Sequence, residues 1–377
     1  MDANTSQLAT TTAAFRMVQI RESLIMAATT VENALLLSAD KQELIFISIV
    51  QSTPAQQGSS DCPCKLSQII WLYDILKEMR ASGRSVVLCT GEENLMITKC
   101  IMLIGSIMIL SEGWSVDDLT SIFEPLALHL VVFRSTSHHT SDNLTVHDCW
   151  NSLAHAKRLG WVDLQNQDPD TKVCIDLAEH IHYDNPINGN LHVLVPSELV
   201  VLECPHDIEG GQWLDVGGER RFGADYYADI LCDFEVCCVV QCGPAAYDTG
   251  SLQARGIAVE RVDADAARRD ALMRTVDRLL TLARLAPAPI AVHGSRPGAG
   301  GALGAGAEVA VSALLMQRHG FPAKPALAWL CINHPGRPVP ALAAVKTTRL
   351  AAPGAGAPGR GGPKEAAVAG GAGPLSE

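Results

Sequence analysis

Apolar residues come along this chain in short runs of two different periods. Leu24–Ala28, Leu44–Ile49 and Val86–Cys89 are compact runs bounded by polar or turn residues, and they predict buried strands. Leu66–Met79 instead carries apolar residues at 66, 69, 70, 72, 73, 76 and 79, the spacing of one helical face. Thr98–Leu110 and Val116–Phe123 predict further helices. Leu144–Leu159 predicts another, with Asn143 or Thr145 as N-cap and Gly160 as its stop. Residues 1–16 read as a polar leader, and the alternation that follows to residue 165 predicts an α/β layer.

A polar, acidic stretch then intervenes. Residues 163–190 hold Asp168, Asp170, Asp176, Glu179 and Asp184 and end at Asn188-Gly189, which predicts a linker helix and a turn. Beyond it the pattern restarts with strands at Leu194–Pro196 and Val200–Leu202, a helix at Tyr226–Cys232, and strands at Val236–Gln241 and Ile257–Val262. A helix over Ala266–Leu285, a strand at Pro289–Val292, a glycine-rich turn at His293–Gly306, a helix at Ala307–Arg318 and a helical segment from Leu327 to Ile332 complete it. The expected organisation is a leader at 1–16, a first domain at 17–165, a linker helix at 166–190 and a second domain at 191–350. Residues 351–377 form a tail in which 20 of 27 residues are Gly, Ala or Pro, a composition expected to stay disordered.

Charge changes this picture at one point. The 377 residues carry a net charge of −12, against the basic surface that a general nucleic-acid binder needs. Residues 1–254 hold 14 Lys+Arg against 33 Asp+Glu, whereas residues 255–377 hold 15 against 8. The change falls inside the second domain. No basic segment followed by an apolar run opens the chain, so an intracellular, cytoplasmic or nuclear setting is expected, with the twelve cysteines as free thiols. Ile101–Leu110 is half the length of a bilayer span and reads as a buried helix. Cys62-Pro-Cys64 and Cys237-Cys238 with Cys242 lack zinc-site spacing, so neither a metal nor a cofactor is expected.

Candidate chemistry sits at the strand–turn–helix beginning at His293. Glycines let a backbone approach a phosphate, and free amides at a helix start point donors at it. The turn fits neither a Walker A pattern nor a dinucleotide fingerprint, and by itself also reads as a tight connection. The segments Cys62-Pro-x-Lys-Leu-Ser-Gln, Leu103-Ile-Gly105, Asn143-Leu-Thr-x-x-Asp148-Cys149, Gly160-Trp-Val-Asp163, Asn188-Gly-Asn-Leu-His-Val-Leu-Val-Pro196, Pro205-His206, Ile290-Ala-Val-His293 and Ala326-x-Ala-Trp-Leu330 fall in an order that resembles the cell-division-cycle-fourteen family of dual-specificity protein phosphatases, over about residues 17–345. The resemblance implies two tandem α/β domains of the dual-specificity-phosphatase fold joined by a linker helix, with chemistry in the second. It also implies a cysteine thiolate that attacks phosphorus, an arginine that grips the phosphoryl oxygens and an aspartate as general acid.

The sequence departs from that pattern where it matters most. His293 matches, but Gly294 stands at the nucleophile position and Gly300 or Gly301 at the arginine position. Arg296 is only two residues past Gly294, and Pro297 removes one amide donor. Ser295, Arg296, Gly298, Gly300 and Gly301 are what remains of the phosphate loop, and Asp263 matches the acid, with Asp265 as a second candidate. Glu179 and Asp184 match acidic positions of a family groove that takes basic peptides; the plainer alternative is a solvated acidic face. The expectation is a pseudophosphatase that binds a phosphoprotein, basic peptide or regulatory partner. The alternative is an active protein phosphatase with an altered loop.

Overall fold

The computed structural model describes residues 16–30, 33, 44–48, 62–83, 85–133, 143–165, 174–244, 247–265, 268–294 and 303–334. The leader, the tail and the loop residues Ser295, Arg296, Gly298, Gly300 and Gly301 lie outside them. Two mixed sheets, each flanked by helices, make an α/β fold.

The first sheet has the order β1-β2-β4-β3, from Arg16–Arg21 (β1), Leu24–Ala28 (β2), Leu44–Ser48 (β3) and Ser85–Thr90 (β4). The strands β2, β4 and β3 run parallel, with β3 at one edge, and β1 pairs antiparallel at the other. The strand β1 begins where the leader was expected to end. Its helices are Leu66–Ala81 (α1), Asn94–Ile107 (α2), Val116–Phe123 (α3) and Val146–Arg158 (α4). Ser115 and Thr145 cap α3 and α4, each through a reciprocal box with an aspartate three residues on. Thr145, not Asn143, is therefore the N-cap.

The helix read as Thr98–Leu110 is longer than expected. It starts at Asn94 and continues through a π-turn at Met108–Glu112, giving 19 residues of helix. That is long and apolar enough to cross a membrane, but 78% of its most apolar window is buried inside the protein. Two details hold it there. Lys157 Nζ donates to the Ile109 and Leu110 carbonyls at 3.0 and 2.7 Å, satisfying acceptors that the helix end leaves open. Gly105 lets the Trp150 indole lie directly on the α2 backbone, with Trp150 Nε1 donating to the Met102 carbonyl at 3.2 Å. A Cβ at Gly105 would sit 2.4 Å from the ring. Alanine gains about 1 kcal/mol in helix propensity over glycine. Overpacking a closed core costs about 1–3 kcal/mol, and here the obstacle is a fully buried ring. We expect Gly105→Ala to lower the urea midpoint; an unchanged or raised midpoint would show that Trp150 can yield.

A helix at Leu177–Asp184 (α5) leads to the second sheet, of order β10-β9-β11-β6-β5. Its strands are Leu191–Val195 (β5), Leu199–Leu202 (β6), Cys238–Cys242 (β9), Ala258–Val262 (β10) and Ile290–His293 (β11). All are parallel except β5. A separate ribbon, Trp213–Val216 (β7) with Glu219–Phe222 (β8), turns at Gly217-Gly218. The remaining helices are Ala224–Asp233 (α6), Gly250–Ala254 (α7), Arg269–Leu285 (α8), Ala305–His319 (α9) and Ala323–Asn333 (α10). One hydrophobic cluster runs unbroken from β2 and α2 through Trp150 and Trp161 to Trp329 on α10, so the two sheets share a core.

Candidate functional site

The parallel strands of the second sheet end side by side, and their C-terminal ends collect the candidate residues. Val292 on β11 lies opposite Val201 on β6 and Val240 on β9, and β9 in turn pairs with β10. Across this edge the chain therefore leaves β10 at Asp263, β9 toward Tyr247, β11 at His293 and β6 toward His206. A sheet of parallel strands places its ligands at this end.

His293 is fully buried and makes two hydrogen bonds. Its Nδ1 lies 2.7 Å from the Gly294 carbonyl and its Nε2 lies 2.8 Å from the Tyr247 hydroxyl. A carbonyl only accepts, so Nδ1 carries the proton and Nε2 accepts from Tyr247. Burial pushes the imidazole pKa down to about 4, and the bond to the Gly294 carbonyl offsets this only in part. The histidine is thus a neutral structural link.

Gly294 has no room for a side chain. A Cβ there would lie 1.8 Å from the Leu303 carbonyl oxygen, which is backbone and has no rotamer to change. Leu303 is itself buried. The far end of the loop has settled into the space that a nucleophile would need. The following helix α9 starts at Ala305, two residues before the expected Ala307 and eleven beyond Gly294. Cys331 is buried in α10, where burial raises its thiol pKa well above the ordinary value.

The acid loop reaches the same place. Ala264 lies between Asp263 and Asp265, and a Cβ on Gly306 in the first turn of α9 would stand 1.5 Å from its carbonyl oxygen. Asp263 itself is 54% exposed and ion-paired with Arg268 at 3.2 Å, while its carbonyl accepts from Thr275 Oγ1 at 2.9 Å. An exposed pair of this kind is worth little, on the order of 0–1 kcal/mol. Asp265 is exposed, and its carbonyl accepts from the Arg268 amide at 3.1 Å.

The two acids expected to form one groove, Glu179 and Asp184, are separated by the structure. Asp184 is 5% exposed and not on a solvated face. Lys65 Nζ and Ser67 Oγ, from the start of α1, reach its carboxylate at 3.2 and 2.6 Å, and His192 Nε2 on β5 reaches it at 3.0 Å. The carboxylate only accepts, so His192 carries its proton on Nε2, and its Nδ1 accepts from His334 Nδ1 at 2.9 Å. Burial opposes the charge on Asp184, but His192, Lys65 and Ser67 outweigh it and hold the pKa well below the carboxylate range. The residue fastens the first sheet's helix to the second sheet.

Glu179 lies elsewhere, in a groove of about 740 Å³ that also contains Asp74, Asp176, Asp233 and Pro289. Pro289 precedes β11, so this groove is at the opposite end of the strand from His293, roughly 13 Å away at 3.3 Å per residue. Burial, and then Asp176 and Asp233, raise the Glu179 pKa. Sequence spacing could not have revealed Tyr247 as the partner of His293, because 46 residues separate them.

Residues 40–156 match the family model for the N-terminal half of dual specificity protein phosphatases, a match confined to the first sheet and its helices. No curated protein matches this chain. Among solved structures, Tk-PTP in its active form aligns with 43% of this chain and 98% of its own, at 14% identity and a TM-score of 0.32. Human DUSP28 aligns with 44% of this chain and 97% of its own, at 18% identity and a TM-score of 0.29. For TpbA of P. aeruginosa the shares are 39% and 73%, the identity 15% and the TM-score 0.28.

Proposed function

We propose that this chain is a pseudophosphatase: a phosphatase-like protein without phosphomonoester hydrolysis, acting as a non-catalytic binder of a phosphoprotein partner. The observation that carries this reading is Gly294. The reaction needs a thiolate directly after the buried strand, held by loop amides and the helix start. Glycine supplies no nucleophile, and the Leu303 carbonyl fills the space beside it. The neutral, doubly bonded His293 supports the same reading, because both of its ring nitrogens are already engaged. The match of residues 40–156 supports the phosphatase-like ancestry.

Removing a nucleophile lowers turnover by several orders of magnitude. The full chain should therefore release no phenol from a small aryl phosphate above the level of a blank. Turnover that vanishes when Asp263 and Asp265 are both changed to alanine would overturn the proposal. A calorimetric titration should show heat with a phosphoserine peptide and none with its unphosphorylated form; equal heats would remove the phosphoprotein part of the reading.

A further inference from the structure

We infer that Arg221 and His206 form an oxyanion pocket for the phosphoryl group of a ligand, beside the degenerate loop and separate from it. The argument begins with two buried nitrogens that have nothing to bond. Arg221 Nε and His206 Nε2 are both shielded from solvent and both lack a hydrogen-bond partner. A buried polar atom left unpaired costs about 1–3 kcal/mol.

Backbone pairing brings these residues together. The His206 amide donates to the Phe222 carbonyl at 2.8 Å, and His206 bridges to Gly223, so the segment following β6 runs along the end of β8 where Arg221 stands. The two side chains are close enough to sense each other's charge. Burial, and then the Arg221 guanidinium, push the His206 pKa below its ordinary value. Asp207 and Glu209 follow in the same loop, and both are exposed. A cation and an imidazole thus stand near each other, and among the described residues no carboxylate forms an ion pair with Arg221.

A tetrahedral dianion resolves this arrangement in a way that a neutral ligand cannot. It accepts from the guanidinium and the imidazole together, and its negative charge is drawn to the guanidinium. Both residues remain partly exposed, which leaves a side open for entry. The position fits as well. β6 lies beside β11, so the segment from Glu203 to His206 emerges at the same sheet end as Gly294. Cys204 on that segment is near enough to Tyr247, the partner of His293, to affect its pKa. The loop's own arginine position holds glycine, and Arg221 supplies a guanidinium at the same sheet end from another strand. The pocket rests on the proposed function only for the kind of partner that carries the phosphate, not for the site itself.

The test is a titration of the isotope-labelled full chain with inorganic phosphate, following the His206 imidazole resonances by NMR. They should shift and saturate. Arg221→Gln should raise the half-saturating concentration about tenfold or more, as expected for loss of a charge-assisted bond, and Arg284→Gln, at the exposed end of α8, should leave it unchanged. An unmoved His206, or Arg221→Gln saturating at the original concentration, overturns the inference. If Arg221→Gln does not fold, Arg221→Lys keeps the charge and removes the Nε–H donor. It should bind several-fold more weakly, and undiminished affinity would count against the pocket. A phosphoserine peptide should displace phosphate from His206 where its unphosphorylated form does not, which separates a phosphorylated side chain from a free ion. Aryl phosphate turnover would end the non-catalytic reading and leave this pocket standing. Binding lost in Arg296→Gln but kept in Arg221→Gln would do the reverse.

Discussion

Replacing Asp184 with alanine should destabilise the protein by about 3–5 kcal/mol, the range measured when one partner of a buried charge pair is removed. The reason is what remains behind. Lys65 Nζ, whose side chain is 16% exposed, would keep its charge with no counter-ion, and the buried His192 Nε2–H would lose its acceptor. At this chain length the melting temperature should fall on the order of 10 °C. Asp184→Asn keeps an acceptor for Ser67 and should cost less. If Asp184→Ala melts with the unmodified protein, the bridge between the two sheets contributes nothing to stability.

The second large effect is loss of stability in mild acid. An unfolded histidine titrates near 6.5. In the folded protein burial holds His293 down to about 4 and His180 down to about 3, and His192 is lowered as well. Above pH 6.5 neither the folded nor the unfolded form binds these protons, so nothing is lost. As pH falls from 6.5 toward 4, the unfolded chain takes up protons that the folded chain refuses, and stability declines. His293 alone accounts for about 3 kcal/mol by pH 4, and His180 for a similar amount, at 1.4 kcal/mol per unit. Asp184 acts in the same direction but lower on the scale. Its pKa is depressed by its partners, so its contribution is present above about 4 and lost below it. Urea midpoints measured between pH 7.5 and 4 should fall steadily, and His180→Gln should flatten the curve. A midpoint that stays level from pH 7 to 5 would mean that these imidazoles protonate without opening the fold.

Much of the architecture was legible in the sequence because it is written in local runs. Val86–Cys89 and Val236–Gln241 are apolar stretches that only a buried strand explains, and the observed strands Ser85–Thr90 and Cys238–Cys242 fall on them. What escaped lacked a local signal or carried a weak one. The strand Arg16–Arg21 has charged ends and lies at a sheet edge, and its few apolar residues do not form a run that announces a strand. The ribbon Trp213–Phe222 has four-residue strands that are mostly exposed, although Gly217-Gly218 between them is a two-residue hairpin signal. Helix α2 begins at Asn94 without a side-chain cap, so its start could not be read.

The candidate site was legible in identity but not in environment. Gly294 could be named from its place after a buried strand and a histidine. Nothing in the sequence said that Leu303 would close over it. Asp184 looked like part of an acidic run until Lys65 and Ser67, 119 and 117 residues away, were found on its carboxylate. Contacts of that span depend on how the two sheets meet, and no periodicity within the linker records it.

The Leu303 carbonyl also bears on the history open to this chain. A cysteine placed at position 294 would meet main chain with its Cβ at 1.8 Å. The loop would have to be rebuilt before the thiol had any value, and an arginine would have to arrive separately. Each intermediate would carry the cost of a strained loop with no activity for selection to favour. A working thiol at this position therefore needs several coordinated changes and not one.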